Sequence, residues 1–206
     1  MDTKKKSLIA TERDDAARTA WRTQEALTAA TQYVFVDECG MQTNMTPRYA
    51  RAPRGERAYG SVPGNHHKNT TLFASLRAQG MGECMVIEGA ADGDTFVAYL
   101  RAFLVPMLTP GQVVVLDNLS VHKDARVAPL IAAAGCRLCY LPAYSPDFNP
   151  IELAFSKIKT AMRREEARTH DALVGALGPV PDTVTTADVI GWYHHHGYFL
   201  EVEQPS

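Results

Sequence analysis

The sequence predicts an α/β fold: a mixed sheet with an antiparallel edge and parallel later strands, flanked by helices. Three observations point there. Short runs rich in aromatic and β-branched residues recur along the chain. The earlier ones, NTTLFASL (69–76) and GECMVIEG (82–89), are joined by a Gly-containing turn, as in a hairpin. The later ones, VVVL (113–116) and CRLCYL (136–141), are separated by a helix-length segment, as in parallel strands with a crossover.

In order, residues 12–30 are Ala-rich, with Ala17, Ala20 and Trp21 on one side and charges on the other, which predicts a helix. YVFVDE (33–38) alternates and predicts a strand. A Pro/Gly/Arg-rich stretch follows to about residue 68, then the hairpin. Residues 93–108 are predicted helical with Asp94 as N-cap. VVVL is wholly apolar, as expected of a strand buried on both faces. Residues 121–134 predict a helix ending at Gly135, and Pro150 opens another reaching about Arg168. Stretches near 170–178 and 185–197 are also helical. The expected division is a linker and helical arm over 1–32, one α/β domain over 33–200 and a tail over 201–206.

Composition bounds the function. A hydrophobic share of 46% and a charged share of 21% exclude disorder and coiled coil, and the net charge of −2 does not by itself advertise nucleic-acid binding. The first fifteen residues contain no apolar signal-peptide core, and FVAYLRAFLVPML is interrupted by Arg101 and too short to span a bilayer. A cytoplasmic protein without a membrane partner is expected. Cys136 and Cys139 have C-x-x-C spacing, but on a strand they face opposite sides, so reduced buried cysteines are expected. His194, His195 and His196 fan out on a predicted helix and do not converge on one ion.

Three carboxylates stand out. Asp37 shares a strand face with Tyr33 and Phe35, where a charge is costly unless paired or metal-bound; its alternative is a turn before Cys39-Gly40. Asp117 follows VVVL, the carboxyl end of a buried strand, where α/β sheets place ligands; its alternative is a helix cap at Asp117, Asn118 or Ser120. Glu152 borders the apolar stripe Ile151, Phe155, Ile158 and Met162, in line with Lys159 and Arg163; its alternative is a capping box with Asn149. Asp37 lies 80 positions before Asp117, and 34 residues separate Asp117 from Glu152. Brought to one sheet edge, the three would repel one another without cations, and two Mg²⁺ ions would suit phosphoryl transfer.

The blocks VFVDECG, VVLDNLSVHK and LPAYSPDFNPIELAFSKIK resemble the three signature blocks of DDE transposases of the mariner-type superfamily, most nearly the bacterial insertion-sequence branch sometimes called the six-thirty class. The resemblance covers about Lys4 to Phe199. It implies an RNase H-like fold, with Asp37, Asp117 and Glu152 as catalytic metal ligands for Mg²⁺ or Mn²⁺. It further implies cleavage by water and attack of the freed 3′-OH on target DNA, typically at a TA dinucleotide. The expected partners are transposon-end and target DNA, with a homodimer on DNA, in a bacterial cytoplasm at the nucleoid. Asn118 and His122 match the D-N-x-x-x-H pattern and are assigned supporting roles, against the alternative of a simple turn and surface His. Glu38 faces away from Asp37 and is not expected as a ligand.

Residues 47–68 carry Arg48, Arg51, Arg54, Arg57 and Lys68 against Glu56, with Tyr49, Tyr59 and two histidines between them. They read as a basic flap for phosphate or a partner subunit, or as a solvated loop. Lys157, Lys159, Arg163, Arg164 and Arg168 form a second cluster, of which Lys159 and Arg163 are the expected DNA contacts. The family's paired helix-turn-helix modules have no evident counterpart, so an upstream helix-turn-helix protein or full-length transposase is an expected partner. Two alternatives stay open: an inactive or regulatory transposase fragment, and a stand-alone RNase H-like nuclease.

Overall fold

A computed structural model describes residues 10–64 and 68–200; the expected tail, the first nine residues and Asn65, His66 and His67 lie outside the described residues. Six strands form one sheet in the order β3-β2-β1-β5-β6, with β4 also paired to β2. They are β1 (Tyr33–Met41), β2 (Thr70–Arg77), β3 (Gly80–Met81), β4 (Met85–Glu88), β5 (Val113–Leu116) and β6 (Arg137–Tyr140). β1 pairs antiparallel with β2 along nearly its whole length, while β1, β5 and β6 run parallel. The mixed sheet is as expected.

Alternation along β1 divides the core into two layers. Tyr33 and Phe35 face one layer, built with α4 (Ile151–Glu165), α5 (His170–Leu177) and α6 (Thr186–His195). Val34 and Val36 face the other, with α2 (Gly93–Tyr99) and α3 (Val127–Ala133). Cys136 belongs to the second layer and Cys139 packs against the first, so they do face opposite sides.

Several expected elements are corrected. β1 does not stop at Glu38 but runs to Met41, with Asp37 opposite Ala74, because β2 continues to pair with it. Asp37 is therefore a mid-strand residue and not a turn. The second hairpin arm is broken at residues 82–84, where Gly82 donates to the Ser75 carbonyl at 2.8 Å. A Cβ on Gly82 would sit 2.1 Å from Ser75 Oγ, so a larger residue there would require the Ser75 hydroxyl to rotate away. The helix expected over 93–108 is capped by Asp92, whose Oδ1 accepts from Thr95 N–H at 2.8 Å, while Asp94 pairs with Arg126. It widens into a π turn over Leu100–Leu104 and a 3-10 turn over Val105–Met107, as the missing N–H and ring of Pro106 demand. The helix expected over 121–134 splits into a 3-10 turn (Ser120–Lys123) and α3. Between them Asp124 is extended, its carboxylate accepting from Arg126 N–H and offering the backbone a local alternative to helix.

The first helix, α1, is shorter than expected (Asp15–Glu25) and buries a different face. Ala17 and Ala20 are both exposed, and Arg18, Trp21 and Glu25 are the buried residues of the helix. Trp21 stacks on Phe148 at 5.4 Å, Arg18 makes a bidentate pair with Asp147 (3.0 and 2.5 Å), and Glu25 makes one with Arg137 (2.8 and 2.6 Å). Glu25 also accepts from Tyr33 Oη at 3.0 Å, and the Arg137 pair holds its carboxyl below the usual range.

The Glu25–Arg137 pair is lopsided, with side chains 3% and 43% exposed. Removing the cation strands a buried carboxylate, whereas neutralising the carboxylate leaves Arg137 in reach of water. Urea unfolding is expected to show a loss of about 3 kcal/mol for Arg137→Met and about 1 kcal/mol for Glu25→Gln. Equal losses would contradict the asymmetry.

Candidate active site

The parallel pairing of β1 with β5 ends at Phe35 and Val115. Two residues beyond that last pair stand Asp37, still within β1, and Asp117, just past the end of β5, where the two segments have stopped bonding to each other and both line the same cavity. A turn over Pro146–Phe148 follows β6, and α4 then begins at Ile151 with Glu152 in its first turn. Ile151, Ala154, Phe155, Ile158 and Met162 are buried and press α4 against the sheet. Asp37, Asp117, Asn118, Asn149 and Glu152 thus line one cavity of about 350 Å³, with Tyr144 at its rim.

Asp37 is 6% exposed, and each of its oxygens is held. Oδ1 accepts from Glu38 N–H at 2.8 Å and Oδ2 from Asn149 Nδ2 at 2.9 Å. Burial, then the charges of Asp117, Glu38 and Glu152, push its pKa up to about 8. Desolvation raises the Glu152 carboxyl against the pull of Lys159, and the Asp117 charge adds to the rise, although by area this residue is exposed. Among the described residues no lysine or arginine pairs with Asp37, Asp117 or Glu152.

The capping box expected around Glu152 does not form. α4 has no side-chain cap, and the Asn149 amide reaches Asp37 instead. Asn149 was legible in the sequence only as a capping residue. Asn118 lies exposed at the cavity edge. His122 is not a surface residue; it is fully buried, with Nδ1 2.5 Å from Asp117 Oδ1 and Nε2 2.9 Å from Glu38 Oε2. Burial opposes its charge, but the two carboxylates outweigh that and raise its pKa to about 9. Atoms of Asp37, Glu38 and His122 also lie within 4.8 Å of one another, a spacing that could suit a metal. Both imidazole nitrogens are already occupied, however, so the carboxylate cavity is the better cation site. Glu38 leaves β1 on the side opposite Asp37, but contrary to expectation its carboxylate does not stay away: it bends toward His122 and comes within 4.8 Å of an Asp37 oxygen.

Arg48, Arg51, Arg54, Arg57 and Lys68 are all exposed, and among the described residues none of them pairs with a carboxylate. Pro47, Arg48 and Tyr49 fold against Ser156, Thr160, Arg163 and Arg164 of α4, which unites the two basic clusters. Lys157 and Arg168 have structural partners: Asp188 at 2.6 Å for the first, the carbonyls of Thr43 and Met45 for the second. His194 and His196 engage backbone groups of Leu200 and Trp192 and do not converge. Among the described residues no helix is long and apolar enough to cross a membrane.

This sheet order, with acidic residues at the parting of its two central parallel strands, defines an RNase H-like fold. Residues 32–174 match the family model described as DDE superfamily endonuclease, and the chain belongs to that family. Among curated protein sequences no match was found. Similar solved structures include the Mos1 strand transfer complex, with TM-score 0.71, 14% identity and 96% of this chain covered. The Mos1 mariner paired end complex with Mn gives 0.71 at 15% identity, also over 96%. The isolated catalytic domain of Mos1 mariner transposase gives 0.63 at 13% identity, over 89% of this chain and 85% of that one. The chain spans 63% of the Mos1 chains in the two complexes.

The raised values for Asp37 and His122 act in the same direction on the metal-free fold. An acid whose folded pKa is raised from 3.8 to about 8 loses stability as pH climbs through that interval. A histidine raised from 6.5 to about 9 contributes stability that is complete below 6.5 and lost as pH rises through about 9. The melting temperature measured in EDTA is therefore expected to fall steadily from about pH 5 to about pH 9. A melting temperature that climbs over this range would contradict both assignments.

Proposed function

We propose that this chain is the catalytic domain of a DNA transposase, cleaving DNA strands and transferring the freed 3′-OH to target DNA. In this reading Asp37, Asp117 and Glu152 are the catalytic carboxylates and hold Mg²⁺ or Mn²⁺, two ions per site. The observation that carries it is their convergence on one cavity, with Asp37 buried among like charges that no lysine or arginine neutralises among the described residues. Such a set of hard oxygen donors fits a divalent cation. Mos1 paired end complexes have been solved with Mn and with Mg, which supports the same metals here.

A divalent ion bound there supplies a Lewis acid and makes a bound water acidic enough to attack near neutral pH. The chain's own residues prepare that place. Glu38 N–H and the Asn149 amide fix the Asp37 carboxylate, and Leu119 N–H and His122 fix Asp117. Held so, the two acids need no reorganisation when a phosphodiester arrives. Water adds to phosphorus, the bond to the 3′ oxygen breaks, and the released 3′-OH displaces a strand in a target phosphodiester.

DNA is held through phosphate contacts from Arg48, Arg51, Arg54, Arg57 and Lys68, with Lys159 and Arg163 on α4 beside the cavity. Asn118, exposed at the cavity edge, contacts the DNA. The working form is a homodimer on transposon-end DNA, with an upstream helix-turn-helix protein or full-length transposase reading the ends.

Nicking of end-containing duplex in Mg²⁺ tests the carboxylates. Glu152→Gln, Asp37→Asn and Asp117→Asn should each lower the rate about a thousandfold or more while the fold persists. A Glu152→Gln variant that cuts near the wild-type rate would remove Glu152 from the site.

Replacing Arg48, Arg51, Arg54 and Arg57 together by Ala should weaken DNA binding and leave metal binding intact. For every phosphate no longer neutralised, the slope of log-affinity against log-salt should flatten by about 0.9. An unchanged slope would return this segment to the status of a solvated loop.

A further inference from the structure

We propose that Glu38 is a positioning residue for Asp117, acting across the sheet through His122. The inference rests on the reading of Asp117 as a metal-holding carboxylate. Strand alternation starts Glu38 on the side of β1 opposite Asp37, and its carboxylate, in a side chain only 15% exposed, lies within 4.8 Å of an Asp37 oxygen. There it meets Nε2 of His122 at 2.9 Å, and the other ring nitrogen meets Asp117 Oδ1 at 2.5 Å. One imidazole thus joins the Glu38 carboxylate to that of Asp117 at the cavity.

The ring has little freedom to turn. It is fully buried, lies 4.5 Å from the Phe96 ring, and its backbone carbonyl accepts from Tyr140 Oη at 2.8 Å. Asp117 also accepts Leu119 N–H on the same Oδ1, at 3.0 Å. Every hydrogen bond described for Asp117 therefore falls on one oxygen, which leaves Oδ2 for the cavity. Asp117 needs such a tether more than Asp37 does. Its side chain is 31% exposed, and it sits where β5 ends and the chain turns into Ser120–Lys123. Without the ring held from behind, rotation about its side-chain bonds would aim the carboxylate elsewhere. Partners behind a metal ligand commonly set its orientation, and their loss costs about 10- to 100-fold in affinity.

A buried histidine that merely satisfies its neighbours would affect stability and not metal binding, so the test reads metal directly. Mn²⁺ titration of the full chain, followed by calorimetry and by the electron paramagnetic resonance of free Mn²⁺, compares wild type with Glu38→Ala, Glu38→Gln and Asp117→Asn. Glu38→Ala should weaken binding about tenfold or more. Glu38→Gln, whose amide oxygen still accepts from Nε2, should stay within about threefold of wild type. Unchanged affinity in Glu38→Ala overturns the proposal. So does equal weakening in Ala and Gln, which would make the charge of Glu38, and not the tether, responsible.

If Asp117→Asn binds Mn²⁺ like wild type, the carboxylate site itself is misassigned and the proposal falls with it. If Asp117→Asn loses binding while Glu38→Ala does not, only the tether fails. A measurement on the unaltered chain guards against a variant that does not fold. The ¹⁵N resonances of the His122 ring should shift on addition of Mg²⁺, and a ring blind to the metal would also overturn the inference.

Discussion

The pairing of β1 with β5 is the constraint on which the site depends. Parallel strands in register present equivalent positions on the same face, so a ladder that stops at Phe35 and Val115 carries the residues two positions further along each segment into one another's neighbourhood. Those residues are Asp37 and Asp117. Hydrophobic packing on both faces fixes the register: Tyr33, Phe35, Val113 and Val115 sit in one layer, Val34, Val36 and Val114 in the other. A slip of one residue would turn all of these faces over. Two carboxylates are therefore forced together by apolar contacts, at a cost that a folded chain would not bear without a use for it.

The third acid arrives by a different route. Glu152 owes its place to the apolar stripe of α4, and the entry of that helix is governed by the turn over Pro146–Phe148. Asn149 joins the two systems, since it ends the turn, precedes Pro150 and gives its amide to Asp37. Its other amide atom, Oδ1, is buried without a partner among the described residues. A good helix cap has been given up for a contact at the cavity, and local rules are most often broken where function competes with them.

Much of this was legible in the sequence because it lies in short-range pattern. Strands β1 and β5, the face shared by Tyr33, Phe35 and Asp37, the stripe of α4 and the two basic clusters all follow from periodicity and spacing. What escaped has a common cause: the relevant partner is distant in the chain. Arg18 and Glu25 look like solvent-facing charges until Asp147 and Arg137 are folded onto them, more than a hundred residues away. Glu38 looks irrelevant until His122 comes between it and Asp117. The break at Asp124 and the π turn before Pro106 were missed because side-chain hydrogen bonding and a single ring clash redirected segments of otherwise helical composition.

The aromatic seat beneath α1 has a practical corollary. Trp21 lies against Phe148 and meets Tyr198 edge-on, while Arg18 and Arg22 stand over the Phe148 ring at 4.0 and 3.9 Å. Arg22 also donates to the carbonyl of His196, so one turn of α1 clasps both the residue before Asn149 and the end of α6. A shortened version beginning at Tyr33 would keep every strand and every acidic residue of the cavity. It would still open two aromatic rings to water, leave Arg137 and Asp147 unpaired, and free the turn that aims Asn149. The smallest piece of this protein worth expressing therefore starts ahead of Asp14, whose carboxylate caps α1 by accepting from Ala16 and Ala17 N–H, upstream of the sheet it serves.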